Sequence, residues 1–391
     1  MLSVIGTRPE AIKMGPVLKL LATRPDAIES VVVATGQHRL MLDQVLSTLG
    51  IQPQHDLDVM RPDQDPAEVA FRTLRAMQRV LGSPPADFVL VQGDTTTTLA
   101  AALAAAYAGI PLGHVEAGLR SFDRANPFPE EINRRVTGAL ADYHFAPTPA
   151  ARANLLREGV PAERVFVTGN TVVDALQMID TSAAGLRPAL LDEPALLGKR
   201  LIVVTAHRRE NLGAPLERIC RAVKELVARY EDVCAVFPVH LNPNVRRTVH
   251  RRLSGAPRVV LTEPLEYLSF LMLLRCAHLV LTDSGGIQEE APSLGKVVLV
   301  LRSTTERPEA CQAGRALLVG TETDAIVGAA ARLLDDPSLL DRMARGPNPY
   351  GDGRAAERIV RALMEILGTA GGTRARPRAP DEEVSMMREG S

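Results

Sequence analysis

Short apolar runs alternate with longer amphipathic segments along most of the chain. In the first part LSVIG precedes PEAIKMGPVLKLLAT, ESVVVATG precedes HRLMLDQVLSTLG, and DFVLVQGD precedes TTTTLAAALAAAYAG; PLGHVEAG then leads toward PEEINRRVTGALAD. This alternation predicts a parallel, doubly wound sheet. After a middle segment rich in Ala, Leu and Pro, SAAGLRPALLDEPALLGK, the pattern restarts. RLIVVTAH, VCAVFPVH, RVVLTEP, HLVLTDSGG and KVVLVLR read as strands, with helical segments between them. Both halves open on a strand, a basic residue at its end and a helix, so two similarly built α/β domains are expected. TDAIVGAAARLLDD and AAERIVRALMEILG predict helices near the end, and the tail after Gly368 has little to bury and is expected to be disordered.

Composition narrows the function classes. A chain of 391 residues with 46% hydrophobic content can build two domains, each with its own core. A net charge of −1, 3% aromatics and no Trp argue against a nucleic-acid partner. The four cysteines, Cys220, Cys234, Cys276 and Cys311, form no CxxC; the first three lie in apolar surroundings, and all four read as reduced thiols. MLSVIG has no basic segment of the signal-peptide kind, and the longest apolar run, around Leu99 to Leu112, is too short to cross a bilayer. A soluble cytoplasmic protein without a membrane partner is expected.

Ligands of open parallel sheets bind beyond the carboxyl ends of the strands. The residues there are Thr7-Arg8-Pro9-Glu10, Asp94, His114 with Glu116, His207-Arg208-Arg209-Glu210-Asn211, and Asp283-Ser284-Gly285-Gly286. Charged and small polar residues thus gather at one end of both halves, which implies a cleft between two domains. Ser284-Gly285-Gly286 between a strand and a helix suits close approach of an anion to the first helical amides. It equally suits an ordinary capped turn, with Glu289 and Glu290 complementing the dipole. His207 could serve only a nearby carbonyl, Arg208 and Arg209 a solvated turn, and Lys13 the surface. There is no GxGxxG after a strand, no GxxxxGK[ST], and no Tyr followed four positions later by Lys. His114-Val115-Glu116 lacks the PCxxC of a zinc deaminase and reads better as a strand; no metal site is expected.

Taken together, GTRPEAIKMGPV, TGQH, GDTTTTLAAALAA, GIPLGHVEAGLRS, PFPEEINRR, TGNTVVDAL, TAHRREN, PVHLNPNVR, TDSGGIQEEAPSLGKVVLVLR and TERPE occur in that order. The chain resembles the bacterial non-hydrolysing UDP-N-acetylglucosamine 2-epimerases from Met1 to about Leu367. That resemblance implies a GT-B type fold of two Rossmann-like domains. Residues 1–168 would form the first domain, rejoined by a helix at about 354–367. Residues 169–353 would form the UDP-binding domain, with 369–391 as the tail. It implies a cytoplasmic homodimer that interconverts UDP-N-acetylglucosamine and UDP-N-acetylmannosamine, with no cofactor and no catalytic metal. Competing readings are a GT-B glycosyltransferase, a hydrolysing 2-epimerase and a non-catalytic nucleotide-sugar binder.

The resemblance also implies roles. Arg8 matches the diphosphate-binding arginine and Lys13 a motif lysine at the cleft. Asp94, Glu116 and Glu130 match the catalytic carboxylates as a group, and His207 the active-site histidine. Ser284, Gly285 and Gly286 match the phosphate loop, and Glu290 the carboxylate on the uridine ribose. Gln37, His38 and His240 resemble an allosteric substrate site. Leu40 stands there where a polar residue is usual and Asp63 where an arginine often is, so weak or absent activation is expected. Within VEAGLRSFDRANPFPEEINRR, Pro129 and two acids read as a helix start. Glu130 with Arg134 and Glu131 with Arg135 have i,i+4 spacing, which suits structural ion pairs, solvated in the case of Glu131 and Arg135.

Overall fold

The two sets of apolar runs form two separate parallel sheets. The computed structural model of the protein describes residues 1–36, 39–61, 64–82, 86–182 and 189–370. In the first half, β1 (Leu2–Ile5), β2 (Val31–Ala34), β3 (His55–Asp56), β4 (Val89–Gln92), β5 (Leu112–Val115), β6 (Tyr143–Ala146) and β7 (Val165–Val167) form a seven-stranded sheet. Its order is β3-β2-β1-β4-β5-β6-β7. In the second half, β8 (Arg200–Thr205), β9 (Val233–Pro238), β10 (Val259–Thr262), β11 (Leu279–Thr282), β12 (Val298–Val300) and β13 (Ala316–Leu318) form a six-stranded sheet. Its order, β10-β9-β8-β11-β12-β13, repeats the doubly wound pattern. Helices cover both faces, so the central strands are apolar on both sides, as in VLV of β4 and LVL of β11.

The order reverses between β1 and β4 and again between β8 and β11, and such switch points open a crevice at the strand ends. The first crevice is built by a capping box. Thr7 caps the helix Arg8–Ala22, and Glu10 returns its carboxylate to the amides of Gly6 and Thr7, at 2.6 Å each. The other oxygen of Glu10 accepts the hydroxyls of Thr95 and Thr98, both at 2.7 Å. One buried carboxylate therefore ties the turn after β1 to the turn after β4, and burial raises its pKa.

The helix Thr171–Ser182 contributes Ala175 to the core of the first sheet and Val172, Val173 and Leu176 to that of the second. The final helix, Ala355–Ala370, packs Ile359, Val360 and Leu363 into the first core beside Ile12 and Leu18. Asp174 caps its start, accepting from the amides of Ala355 and Ala356 at 3.2 and 2.8 Å. That helix runs through residues 369 and 370, which were read as tail, and residues 371–391 lie outside the described ones.

Four strands escaped the apolar pattern: β3, β6, β7 and β13. They are short, and β3 and β6 carry histidine, so composition gave little signal. All four cysteines are free thiols. Burial raises Cys220 to about 12 and Cys234 to about 11, whereas Cys276 is exposed rather than apolar in its surroundings. Among the described residues no helix is long and apolar enough to cross a membrane, and no cluster of His, Cys, Asp and Glu could hold a metal ion.

Candidate active site

β4 and β5 run to the crevice and there set down two acids, Asp94 and Glu116. Glu116 follows β5 with φ +64°, a left-handed conformation rare outside glycine and costing about 1–3 kcal/mol. Its carboxylate explains how that conformation is held. Glu116 Oε2 accepts from Lys13 Nζ at 2.5 Å and from Gln92 Nε2 at 2.8 Å. Lys13, on the helix after β1, is buried and not on the surface. It also donates to Glu289 Oε2 at 2.7 Å, on the helix Gly285–Ser293 of the other sheet. The lysine thus bridges the two halves through a carboxylate on each side. Taking one charge from so buried a set costs about 3–5 kcal/mol, because the others lose their counter-ion.

Asp94 has a separate partner. Arg134 Nε donates to Asp94 Oδ2 at 3.0 Å, Arg134 Nη2 makes a second contact to that oxygen, and Asn133 Nδ2 donates to the Asp94 carbonyl at 3.0 Å. Arg134 therefore does not pair with Glu130 along its helix. Glu131 is fully buried, not solvated. It accepts the amides of Ser121 and Phe122 at 3.0 and 3.2 Å, with Arg134 Nη1 at 3.4 Å. Arg135 is exposed, as its spacing suggested. Glu130 opens that helix, Glu130–Leu140, half-buried, and its Oε2 is buried without a hydrogen-bond partner.

The environments push the two acids apart. Burial opposes ionisation of Asp94, but Arg134, Arg307 and Lys13 outweigh it, and its pKa is lowered. For Glu116 burial prevails over Lys13 and Arg307, with Glu289 adding repulsion, and its pKa is raised. Such a divergent pair is what acid–base chemistry needs.

The second crevice carries the anion-binding features. Ser284 is the N-cap of the helix Gly285–Ser293, yet its side chain makes no capping bond, so the first amides stay open to a ligand. Around Gly286 there is open space, whereas a Cβ on Gly285 would lie 2.5 Å from Arg307 Nη1. Arg8 is half-buried and has no ion-pair partner among the described residues. Arg208, read as part of a solvated turn, has its Nε buried without a partner. Asp283, fully buried, accepts from the amides of His207 and Arg208 at 2.9 Å each and from Asn211 Nδ2 at 2.9 Å. It fixes the loop that presents His207. The His207 ring stacks on His240 with centroids 5.1 Å apart, and burial, opposed by Asp283, lowers its pKa. Glu290 accepts from Tyr267 Oη at 3.0 Å, and burial raises it to about 7.

The strand ends thus gather Arg8, Lys13, Asp94 and Glu116 in one half and His207, His240 and Ser284–Gly286 in the other, with Lys13 joining them. Gln37 and His38 lie outside the described residues. His114 is a buried strand residue whose Nε2 donates to the Gly93 carbonyl at 2.8 Å, and burial lowers it to about 3. The sequence alone gives Glu289 only a helix dipole to complement and Arg134 only an ion pair with Glu130, and it assigns no role to Asp283 or Arg307, although all four sit in quoted motifs. Asp283 alone directly follows a strand, whereas Arg134 and Glu289 lie within helices and Arg307 in the segment before Glu309, so position gave little signal for those three.

The profile of the UDP-N-acetylglucosamine 2-epimerase family matches residues 21–364. UDP-N-acetylglucosamine 2-epimerase of Yersinia pestis is 54% identical over 367 residues, covering 93% of this chain and 97% of that protein. The enzyme of that name from Escherichia coli K12 is 52% identical over 367 residues, with the same coverage of 93% and 97%. The crystal structure of UDP-GlcNAc 2-epimerase from Neisseria meningitidis bound to UDP-GlcNAc superimposes with a TM-score of 0.87 at 47% identity, covering 93% of this chain and 99% of that one. Two doubly wound sheets facing a common crevice, matched in sequence and structure over almost the whole chain, mean that the protein belongs to the UDP-N-acetylglucosamine 2-epimerase family.

Proposed function

We propose that the protein interconverts UDP-N-acetylglucosamine and UDP-N-acetylmannosamine by eliminating and re-adding UDP. The observation that carries this reading is the meeting, at one cleft, of two carboxylates with opposed pKa shifts and an uncapped helix N-terminus, with Arg8, which has no ion-pair partner among the described residues, facing Glu290 of that helix. The Neisseria relative bound to UDP-GlcNAc supports the choice of substrate.

The chemistry follows from the difficulty at C2, whose proton has no adjacent ketone. When the C1–O bond breaks, its electrons leave on the diphosphate, and C1 becomes cation-like. The C2 proton is then acidic and passes to a carboxylate, leaving a C1=C2 double bond, a 2-acetamidoglucal. Protonation at C2 from the opposite face and return of UDP to C1 give the epimer. Arg8 and the amides of Gly285 and Gly286 stabilise the leaving diphosphate, and its charge draws a proton onto His207. Asp94, Glu116 and Glu130 supply the proton transfers and shield the cation-like C1. Residues 1–168 with the final helix act as one lobe and residues 169–353 as the UDP-binding lobe. The resemblance further supports a cytoplasmic homodimer, and sedimentation should return twice the 42.1 kDa chain mass.

In D₂O with UDP-N-acetylglucosamine, NMR should show deuterium at sugar C2 with the UDP linkage retained. Net release of UDP would mean a hydrolysing enzyme, and no change at C2 a transferase or a binder. A second test concerns Glu290, which reads as the acceptor for the ribose hydroxyls and must be ionised to accept both. Because its pKa is raised to about 7, UDP affinity should fall as pH drops through that value. Glu290→Gln should bind more weakly above it and lose that part of the pH dependence. Calorimetry of both enzymes on either side of that pH removes the titration of UDP itself, and parallel curves would remove Glu290 from the ribose.

A further inference from the structure

Beyond the carboxylates assigned above, one chain of charges crosses from lobe to lobe. Arg307 Nε donates to Glu289 Oε1 at 2.6 Å, and its Nη1 to Glu306 Oε1 at 2.5 Å. Its Nη2 lies 3.8 Å from Glu116 Oε1. Arg302 continues the chain, donating to Glu306 Oε2 at 2.8 Å and, from Nη2, to Asn126 Oδ1 at 3.3 Å. Lys13 closes it on the other side through Glu116 and Glu289. All of these charged side chains are buried. Lys13, Gln92, Glu116 and Asn126 belong to the first sheet's half; Glu289, Arg302, Glu306 and Arg307 belong to the second.

Each oxygen of Glu116 therefore has its own custodian. Oε2 is held from within its own lobe by Lys13 and Gln92, while Oε1 faces a cation from the opposite lobe. The Arg307 guanidinium cannot move freely, because it lies against Gly285, at the start of the phosphate-loop helix. Its position is thus tied to the segment that would hold the diphosphate.

We propose that Arg307 and Glu289 are positioning residues that complete the Glu116 carboxylate only when the two lobes are together. The inference rests on Glu116 acting in the C2 proton transfer. Separating the lobes would take away Arg307 and Glu289 at once and leave only Lys13 and the neutral Gln92 on Glu116. The base is then assembled by the same contacts that shut the cleft, so proton removal is restricted to the state that retains the glucal.

The charged groups facing Glu116 are Lys13 from the first helix, Glu289 from the phosphate-loop helix and Arg307 from the segment before Glu309. Gln92 from β4 is neutral, and Asp94 is held by Arg134. Arg307 favours the carboxylate and Glu289 disfavours it, so their removal acts in opposite senses.

The test is the pH profile of C2 deuterium exchange at saturating substrate. Arg307→Gln should move the acidic limb upward by about 1–3 pH units, and Glu289→Gln should move it downward. Arg307→Lys, which keeps the charge, should recover more than half of the shift. UDP binding by calorimetry is the check that each variant is folded. An acidic limb that stays fixed, or moves the same way in both variants, overturns the proposal. Glu116→Gln separates the two levels. Normal exchange in Glu116→Gln overturns the role of Glu116, and with it this inference. Loss of exchange there, with unmoved limbs in the other two, overturns the cross-lobe role alone.

Discussion

Glu116→Gln should lower turnover by roughly 10²–10⁴-fold while the enzyme still binds UDP. The substitution keeps shape and removes only charge and proton affinity. Glu116 lies at the end of β5 in a left-handed turn, held by Lys13 and Gln92, so the glutamine can keep the place of the carboxylate. It cannot accept the C2 proton or stabilise positive charge at C1. Asp94→Asn should cost a similar factor for a different reason. The pKa of Asp94 is lowered, so it is the more readily ionised of the two acids, and its loss also leaves the buried Arg134 with only the longer contact to Glu131 as a counter-ion. Both losses should appear in kcat and kcat/KM alike, since the groups act on the transition state rather than on the nucleotide. The uridine and diphosphate contacts lie on other elements, so calorimetry should return a nearly unchanged UDP affinity. Near-normal turnover in both variants would remove the carboxylates from the chemistry.

These two acids were legible in the sequence only through their position at strand ends and the motifs around them. The central strands were legible for a simpler reason: a strand covered by helices on both faces is apolar throughout, and VLV and LVL need no partner to be recognised. At the sheet margins β3, β7 and β13 carry exposed positions and lose that signal. Side-chain partners were the least legible. Arg134 and Glu130 have good helical spacing, yet Arg134 reaches Asp94 on another element, because a buried guanidinium follows the nearest carboxylate in space. Glu131 looked like a surface acid and instead accepts two loop amides. Lys13 looked like a surface lysine because its second partner, Glu289, stands at the far end of the sequence. Spacing along a helix constrains only contacts made on that helix; it carries no information about a partner supplied by the fold.

Gly118→Ala should be the most damaging small change in the loop that joins Glu116 to Glu130. Gly118 has φ +91°, and a Cβ there would lie 2.3 Å from the Ala151 carbonyl oxygen and 2.8 Å from its carbon. The obstacle is backbone of the helix Pro149–Arg157, which a rotamer change cannot relieve. That helix is fixed from both sides: Asn154 Nδ2 donates to the Gly118 carbonyl at 2.9 Å, and Ala151 and Leu155 pack on Ala117 and Leu119. Gly159 supplies the control. Its φ is +88°, almost the same, but nothing lies within 4 Å of a Cβ placed there. Both alanines carry the strain of a left-handed residue, roughly 1–3 kcal/mol, and only Gly118→Ala adds overpacking of about 1–3 kcal/mol. In paired denaturation experiments Gly118→Ala should therefore lose clearly more stability than Gly159→Ala. Its turnover should fall too, because the loop must shift to admit the methyl group and Glu116 lies two residues away. Equal losses in the two variants would mean that the loop yields without cost, and that the close approach to Ala151 does not hold Glu116 in place.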